Sequence, residues 1–232
     1  MISVLCSNYN SSRWIDRYCS YINAQLLNTF EVVFVDANST DDSLQKIKDF
    51  NFRDGIEVAI IELKDRVTVY EAWNTAIEAS TYDYVINYNT DDKLFNSALY
   101  TLAAYLQLCP HIDVLYSNCF IASDYSHHNI VSFYSWQDAN DIQNLLKGCC
   151  CGPFPLLKKE TVIKCGMFDP SFTISGDYEM WCRMNSKGAK FKKIDEFLGV
   201  YYQNPEGVST SPDAERHSQH VQQDNIIRTL YS

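Results

Sequence analysis

The chain has 232 residues, 46% of them hydrophobic, and its 29 acidic and 19 basic residues give a formal net charge of -10. This composition excludes a disordered chain, because it can bury a sizeable core. The negative net charge argues against a large nucleic-acid-binding surface and against nonspecific attraction to anionic lipids. No stretch approaches the roughly 18 apolar residues of a membrane span, and no basic leader precedes the first strand-like run, so we expect a cytoplasmic protein that can work peripherally at a membrane.

The first half of the chain alternates between strand-like and helical patterns. Continuous apolar runs predict strands at residues 2–7, 31–35, 57–63 and 84–88. Apolar side chains at helical spacing predict a helix after each of the first three strands. Such alternation predicts an α/β fold with a mostly parallel central sheet flanked by helices, in which ligands bind beyond the carboxyl ends of the strands.

The most informative segment is Asn89-Thr90-Asp91-Asp92, which follows the fourth predicted strand. Adjacent carboxylates at the end of a buried strand repel each other, and they are costly unless a cation or hydrogen-bond donors neutralise them. The pair therefore favours a metal or nucleotide site. The alternative interpretation is a turn followed by a helix cap, since Asp is common in both.

Polar residues follow three of the predicted strands. Asn8-Tyr9-Asn10 follows the first strand, Asp36 ends the second, and Asp91-Asp92 follows the fourth. Because parallel strands end at one edge of the sheet, these residues should converge there. An aromatic ring to stack on a base, a carboxylate for the base or ribose and a carboxylate pair for a divalent ion describe a nucleotide-diphosphate pocket. Neither GxGxxG nor a P-loop is present, so we expect a metal ion to hold the phosphates.

The second half of the chain is less regular. A helix is predicted at 97–108 and a strand from Val114, and then a polar loop covers 123–129. Asp177 precedes a helix that ends near Gly188. A carboxylate at a helix N-terminus is favoured in its ionised form, as a general base requires. A simple N-cap is the alternative interpretation of Asp177.

The simplest interpretation of the cysteines and histidines is a structural or surface role, whereas one tryptophan is a candidate for a binding site. Nine cysteines without a CxxC pair predict free thiols, and Cys149-Cys150-Cys151 is expected as small buried residues rather than a redox or metal site. His127-His128, and His217 with His220, are expected at the surface. Trp136 lies in a loop-like region and is a candidate for an acceptor cleft, because aromatic faces suit the CH groups of sugars.

Five segments in this order resemble family 2 glycosyltransferases of GT-A fold. They are Ser7–Asn10, Val35–Asp41, Asn89–Asp92, Gly166–Asp169 and Gly176–Trp181. The resemblance spans about residues 2–210, and Asp65 with Tyr70–Asn74 looks like the segment after the third strand in polysaccharide-building members. It implies one catalytic domain over 1–232, with a nucleotide-sugar-binding half at 1–95 and an acceptor-binding half at 96–232.

The resemblance also implies a reaction and a role for each matching residue. The reaction is inverting transfer of a sugar from a nucleotide-diphosphate sugar, by family frequency a UDP-sugar, to a hydroxyl of a glycan, lipid-linked or protein acceptor, with Mn2+ or Mg2+ as cofactor. Asp177 would be the catalytic base, and Asp92 with Asp91 would bind the metal. The implied nucleotide contacts are Tyr9, Asn10, Asp36, Asp65, Asn74 and Asp91, and the implied sugar or acceptor contacts are Trp181, Tyr178 and Glu179.

Three positions depart from the family pattern. Asn89 stands first in the acidic motif, residues 201–209 lack the histidine common there, and Trp73 replaces a basic residue, which leaves Lys64 or Arg66 to neutralise the diphosphate. Two other classes of function remain open. One is a non-catalytic nucleotide- or sugar-binding module. The other is a sugar-nucleotide nucleotidyltransferase, which usually carries a glycine-rich basic loop after the first strand.

Overall fold

A computed structural model describes all residues from Met1 to Ser232, and they form one nine-stranded sheet with eight helices. The strands are β1 (Ile2–Asn8), β2 (Phe30–Asp36), β3 (Ile56–Glu62), β4 (Tyr84–Asn87), β5 (Lys93–Leu94), β6 (Val114–Ala122), β7 (Ile130–Tyr134), β8 (Leu156–Lys158) and β9 (Phe191–Tyr202). The helices are α1 (Ser12–Asn23), α2 (Ser43–Asp49), α3 (Val69–Ala79), α4 (Ala98–Leu108), α5 (Ile142–Leu145), α6 (Lys159–Cys165), α7 (Gly176–Ser186) and α8 (Ala214–Tyr231).

The sheet has the strand order β3-β2-β1-β4-β8-β6-β9-β5, and β7 pairs with the far end of β6. The pairs β1/β2, β2/β3, β1/β4 and β6/β9 are parallel, while β8, β7 and β5 pair antiparallel with their neighbours. The α/β fold class with a largely parallel sheet is therefore confirmed. Because β6, β8 and β9 join the strands of the first half, both halves of the chain share one sheet.

The sheet separates two hydrophobic cores, and alternate residues of each strand enter one or the other. Leu5 and Val33 point into the core that α3 and α7 cover. Val4 and Val32 point into the core that α1 and α4 cover. Strands that are buried on both faces consist of continuous apolar runs, and this is why the sequence pattern predicts β1 and β2.

The strands of the first half end at one edge of the sheet. Asn8 and Asp36 lie opposite each other at the ends of β1 and β2, and the Asn89–Asp92 turn begins just beyond β4. The capping box of Thr68 and Glu71 fixes the start of α3 near the same edge. No helix in the structure combines the length and apolar character needed to cross a membrane.

Candidate functional site

Asn8 and Asp36 form the buried floor of the site. The Asn8 Nδ2 group donates to Asp36 Oδ1 at 2.6 Å and to Ser43 Oγ at 3.0 Å. Asp36 Oδ1 also accepts from Ser39 Oγ at 2.6 Å, and Asp36 Oδ2 accepts only from the Ser39 backbone N–H, at 2.9 Å. The Asp36 side chain is thus held rigidly, with unused lone pairs on Oδ2.

The loops after β1 and β2 are fastened to each other by Asn10. Its side-chain oxygen accepts from the backbone N–H of Thr40 at 2.7 Å and of Asp41 at 3.3 Å. Asn10 and Asn38 both have left-handed backbone conformations, with φ of 50° and 61°, which Asn tolerates better than most residues. These contacts fix the position of the neighbouring Tyr9.

The ring of Tyr9 is covered by a cation from the loop after β3. The guanidinium carbon of Arg66 lies 4.4 Å from the Tyr9 ring centroid, a cation–π contact. Asp65, the preceding residue, and Lys64 are exposed on the same loop. The structure therefore brings Tyr9, Asp65 and Arg66 to the side of the Asn8–Asp36 floor.

Asp91 and Asp92 point into different surroundings. Asp92 is 2% exposed, its Oδ1 accepts from the Tyr202 backbone N–H at 2.9 Å, and its Oδ2 is buried without any hydrogen-bond partner. Asp91 Oδ2 accepts from Asn204 Nδ2 at 2.8 Å. Burial, and then the charge of Asp91, raise the pKa of Asp92 well above its usual range, and burial also raises the pKa of Asp91.

The oxygen atoms of Asp91 and Asp92 suit a divalent cation. An orphan carboxylate oxygen at Asp92 beside a second carboxylate is what a hard cation such as Mn2+ or Mg2+ would satisfy. Asn204 reaches Asp91 from the segment after β9. No group of three His, Cys, Asp or Glu side chains could hold a metal by itself. The pair therefore fits an ion whose other ligands come from the diphosphate or water.

His127 is a site residue that the sequence analysis missed. The expectation of a surface histidine is wrong, because His127 is 4% exposed and its Nε2 lies 2.8 Å from the backbone oxygen of Asp91. Burial lowers the pKa of His127 to about 4, so the ring is neutral at pH 7 and Nε2 donates to that carbonyl. His127 thereby fastens the β6–β7 loop to the acidic turn. The neighbouring His128 is exposed, as predicted.

Asp177 lies in the first turn of α7, in a cradle made by α3. Asp177 Oδ1 accepts from the Tyr178 backbone N–H at 2.9 Å, and the Tyr70 hydroxyl lies 3.3 Å from it. The same hydroxyl donates to the Ile174 carbonyl at 2.6 Å. Burial raises the pKa of Asp177, while the contacts from Tyr178 and Tyr70 act in the opposite direction. A carboxylate with a raised pKa is a better proton acceptor.

Gly176 is required by the ring of Tyr70. A Cβ at position 176 would lie 2.8 Å from Tyr70 Cε2, closer than van der Waals contact allows. The glycine therefore lets α3 and the start of α7 approach closely enough for Tyr70 to reach Asp177.

The Cys149–Cys151 segment passes beside Asp177. Cys150 and Cys151 are buried free thiols, as the sequence predicts. Cys149 is half-buried, and its Sγ lies 4.0 Å from Asp177 Oδ2. Burial, and then the charge of Asp177, raise the pKa of Cys149 well above its usual range, so this thiol stays protonated.

Three aromatic rings, carried by β7, the segment after it and β9, lie next to one another. Tyr134 stacks on Trp136 with ring centroids 4.5 Å apart, and it lies 6.4 Å from the ring of Tyr201. Burial raises the pKa of Tyr201, and the charges of Asp92 and Asp91 act in the same direction. Sequence reasoning selected Trp136 but missed Tyr134 and Tyr201, because the β7 and β9 strands that carry them were not predicted.

The C-terminal helix α8 holds the loop before Asp177. Gln223 Oε1 accepts from the backbone N–H groups of Ile174 and Ser175, both at 3.0 Å. Asp224 Oδ1 accepts from the Ser175 hydroxyl at 2.7 Å, and His220 lies 3.7 Å from the same oxygen. His220 thus has an acidic neighbour, Asp224, one turn away on α8.

Asn74 uses its polar atoms within the protein. Its Nδ2 donates to the Phe168 carbonyl at 2.7 Å, and its Oδ1 accepts from the Phe168 backbone N–H at 2.9 Å. This pair of bonds joins α3 to the Gly166–Asp169 segment. In this structure, Asn74 therefore positions an element next to the site, and a nucleotide would have to replace one of these bonds.

Trp181, Tyr178 and Glu179 face the core instead of a cleft. Trp181 is fully buried and Tyr178 is 2% exposed. Glu179 makes a buried ion pair with Arg183 at 2.7 Å and accepts from the Tyr231 hydroxyl at 2.6 Å. Spacing along the helix places these side chains near Asp177, and in this structure all three are buried.

Comparisons with known proteins agree with this geometry. The model of the family described as Glycosyl transferase family 2 matches residues 3–166. S. aureus TarS 1-349 in complex with UDP-GlcNAc superposes with a TM-score of 0.77 at 16% identity, over 97% of this chain and 66% of that one. S. aureus TarS 1-349 in complex with UDP gives a TM-score of 0.72 at 18% identity, over 88% and 61%.

A third solved structure shares the fold. The mannosyltransferase PcManGT from Pyrobaculum calidifontis, in complex with GDP-Man and Mn2+, gives a TM-score of 0.70 at 18% identity, over 98% of this chain and 64% of that one. The chain thus spans less than two thirds of the length of each of these structures. The likeness confirms the GT-A form of the α/β fold.

Proposed function

Because the chain belongs to glycosyl transferase family 2, we propose that it is an inverting glycosyltransferase that moves a sugar from a nucleotide-diphosphate sugar to an acceptor hydroxyl. The donor is proposed to be a UDP-sugar, and the cofactor Mn2+ or Mg2+. Residues 1–95 would bind the donor and 96–232 the acceptor, within one catalytic domain. The acceptor is a glycan, a lipid-linked sugar or a protein.

The buried oxygen Oδ2 of Asp92 is the observation that carries this proposal. It has no hydrogen-bond partner, and it lies on a carboxylate next to Asp91. Two adjacent buried carboxylates lower the stability of the folded protein unless a cation binds between them. A protein that only needed a turn after β4 would be more stable with Asn at position 92.

Asp91 and Asp92 would hold the divalent ion. When bound, the ion supplies positive charge to the diphosphate as it leaves. Asn204 and His127 keep Asp91 in place through its carboxylate and its backbone oxygen. Asp91 would also approach the ribose.

Tyr9, Asn10, Asp36 and Asp65 would form the nucleotide side. Tyr9 offers a ring face for the base once Arg66 moves from it, and Asp36 offers the free lone pairs of Oδ2 to a base or ribose N–H or O–H. Asn10 fixes the loop that carries Tyr9. Arg66, freed from the ring, or Lys64 would neutralise the diphosphate.

Asp177 would act as the general base. Its carboxylate takes the proton of the acceptor hydroxyl as the oxygen attacks the anomeric carbon from the face opposite the diphosphate, which inverts the configuration. The anomeric carbon gains oxocarbenium character as the bond to the diphosphate breaks. Tyr70 orients Asp177, and the half-buried surroundings that raise its pKa strengthen it as a base.

The test is a titration of nucleoside diphosphates and nucleotide sugars into the protein by calorimetry, with and without Mn2+. The wild type should bind a uridine nucleotide more tightly with Mn2+, and Asp92→Ala should lose that gain. Asp195→Asn is the matched control, because Asp195 is a carboxylate 94% exposed on β9.

Activity separates the alternative functions. Slow hydrolysis of the nucleotide sugar without acceptor, abolished in Asp177→Asn while binding persists, supports the transferase. Nucleotide binding with neither hydrolysis nor transfer would instead indicate a binding module. Pyrophosphate release from a nucleoside triphosphate would indicate a nucleotidyltransferase, and absence of all nucleotide binding would reject the donor site.

A further inference from the structure

The guanidinium group of Arg66 covers a face of the Tyr9 ring. Its central carbon lies 4.4 Å from the ring centroid, which is direct contact between the two groups. A base stacked between them would lie about 3.5 Å from each, so the guanidinium would have to be about 7 Å from the ring. The observed spacing leaves no room for a base. Arg66 therefore occupies a stacking face of Tyr9 that the proposed donor would use.

No other polar contact holds Arg66 on the ring. Its side chain is exposed, and its guanidinium makes no hydrogen bond and no salt bridge within the protein. A cation–π contact at an exposed site shifts an equilibrium by only about two- to fivefold. All the N–H donors of this guanidinium are turned to water, although their geometry matches a phosphate or a carboxylate. Arg66 can thus leave Tyr9 at small cost and would gain most beside an anion.

The loop between β3 and α3, which carries this arginine, is fixed at both ends and unbonded between them. At its start, the Leu63 backbone N–H donates to the Asp36 carbonyl at 2.9 Å. At its end, Thr68 begins α3 with its capping box. Residues 64–67 form no hydrogen bond through backbone or side chain. The segment can therefore change conformation without breaking a hydrogen bond, while its first end stays attached to Asp36.

Tyr9, in contrast, is carried by a firmly bonded loop. The backbone N–H of the next residue, Asn10, donates to Ser39 Oγ at 3.0 Å, and its side-chain oxygen accepts from the Thr40 N–H at 2.7 Å. Ser39 Oγ in turn donates to Asp36 Oδ1 at 2.6 Å. Tyr9 and Asp36 thus belong to one hydrogen-bonded unit. Of the two partners in the cation–π contact, Arg66 is the one that is free to move.

The charge of the site favours transfer of Arg66 to an anion. Asp36, Asp65 and Asp91 surround the proposed donor position with carboxylates, in a chain whose formal net charge is -10. Such surroundings repel a diphosphate unless cations oppose them. Arg66 has no carboxylate partner, not even the adjacent Asp65. Its positive charge is therefore available to a ligand.

We infer that Arg66 makes the donor site select nucleoside diphosphates over nucleosides. This inference rests on the proposed glycosyltransferase function and concerns the regulation of the same site. A nucleoside must displace Arg66 from Tyr9 and offers the guanidinium no anion in return. A nucleoside diphosphate also displaces it, but the phosphate oxygens then accept charge-assisted hydrogen bonds from the released guanidinium. Only a ligand with the diphosphate recovers the cost of uncovering Tyr9.

The experiment measures the affinities of uridine and of UDP by calorimetry in the presence of Mg2+, for the wild type and for Arg66→Ala. The matched control is Lys192→Ala, which removes an exposed positive charge near the start of β9, at the opposite edge of the sheet. Tyr9→Leu, alone and combined with Arg66→Ala, completes a double-mutant cycle that tests whether a gain arises at the ring.

Arg66→Ala should bind uridine about two- to fivefold more tightly than the wild type, because Tyr9 is no longer covered. The same variant should bind UDP more weakly, since the phosphates lose a partner, and its preference for UDP over uridine should fall by about tenfold. Lys192→Ala should leave both affinities unchanged. In the Tyr9→Leu background, Arg66→Ala should give no gain in uridine affinity.

Three outcomes would overturn the inference. An unchanged uridine affinity in Arg66→Ala would show that the base does not compete with the guanidinium. A lower uridine affinity would show that Arg66 holds the base instead of covering its place. A gain that persists in the Tyr9→Leu background would arise from charge and not from the ring. A wild type that binds neither UDP nor GDP would reject the proposed function itself, and the inference with it.

Discussion

The hydroxyl of Tyr70 lies 3.3 Å from Asp177 Oδ1, although the two residues are 107 positions apart. Tyr70 lies within residues 1–95, the proposed donor half, and Asp177 within 96–232, the proposed acceptor half. The contact therefore couples the proposed base to the helix α3 that stands over the donor site.

Replacing Tyr70 with Phe should narrow the pH range over which Asp177 is ionised and able to act as a base. The Tyr70 hydroxyl holds the pKa of Asp177 down, so its loss raises that pKa further. Since the base works ionised, the acidic limb of the kcat profile should move to higher pH. The KM for the donor should stay unchanged.

Tyr231→Phe is the control for Tyr70→Phe. It removes a hydroxyl that bonds to Glu179 at 2.6 Å and does not reach Asp177. If both variants shift the pH profile equally, the effect comes from general loosening and the positioning role of Tyr70 is rejected.

Asp92→Asn should stabilise the protein in the absence of metal while it abolishes the effect of Mn2+ on nucleotide binding. The folded-state pKa of Asp92 lies above the unfolded value, so its unfavourable contribution appears as pH rises through the folded pKa. The gain in Tm from Asp92→Asn should therefore grow as the pH rises above about 4, the ordinary pKa of Asp in the unfolded chain. Thermal unfolding without metal measures it, and Asp195→Asn should change Tm little.

Because of His127, the protein should be less stable at mildly acidic pH than at neutral pH. Its pKa is about 4 when folded, so between the ordinary value near 6.5 and that value the unfolded chain binds more protons. Stability is fully present above about pH 6.5 and falls as the pH drops toward 4. From pH 7 to pH 5 this group should account for about 2 kcal/mol.

Urea unfolding at pH 7 and pH 5 tests that prediction. The pH-dependent loss should be smaller in His127→Gln than in the wild type, whereas exposed His111→Gln should behave as the wild type does. An unchanged pH dependence in His127→Gln would show that the folded protein tolerates the protonated ring.

Gln223→Leu should lower kcat with little change in donor affinity. The substitution removes the acceptor for the Ile174 and Ser175 backbone N–H groups, so the loop before Asp177 loses its fixed position. Displacing a catalytic group by a fraction of an ångström can reduce turnover by about tenfold or more. Steady-state kinetics and UDP titration measure the two effects separately.

Gln222→Leu provides the comparison, because Gln222 is the exposed neighbour on α8 and makes no contact with the loop. A fall in kcat in both variants would assign the effect to α8 as a whole. A fall in UDP affinity in Gln223→Leu alone would show that the loop also supports the donor site.

The sequence by itself determined the first half of the fold and the convergence of its polar residues. Continuous apolar strands buried on both faces, such as β1 and β2, leave a pattern that local reasoning can read. Parallel strands must then end at one edge, so Asn8, Asp36 and the Asp91–Asp92 pair were placed together before any coordinates. The glycosyltransferase family was identified from the same segments.

Only the tertiary structure decided which side chains face the site. The exposure of a helical residue near Asp177 depends on which neighbours pack on α7, and this packing buries Trp181 and Glu179. His127 lies in a loop of polar sequence, yet its side chain is buried and hydrogen-bonds to the backbone carbonyl of Asp91, 36 positions away. Periodicity reports the exposure of regular elements, whereas contacts between distant loops arise only when the whole chain is folded.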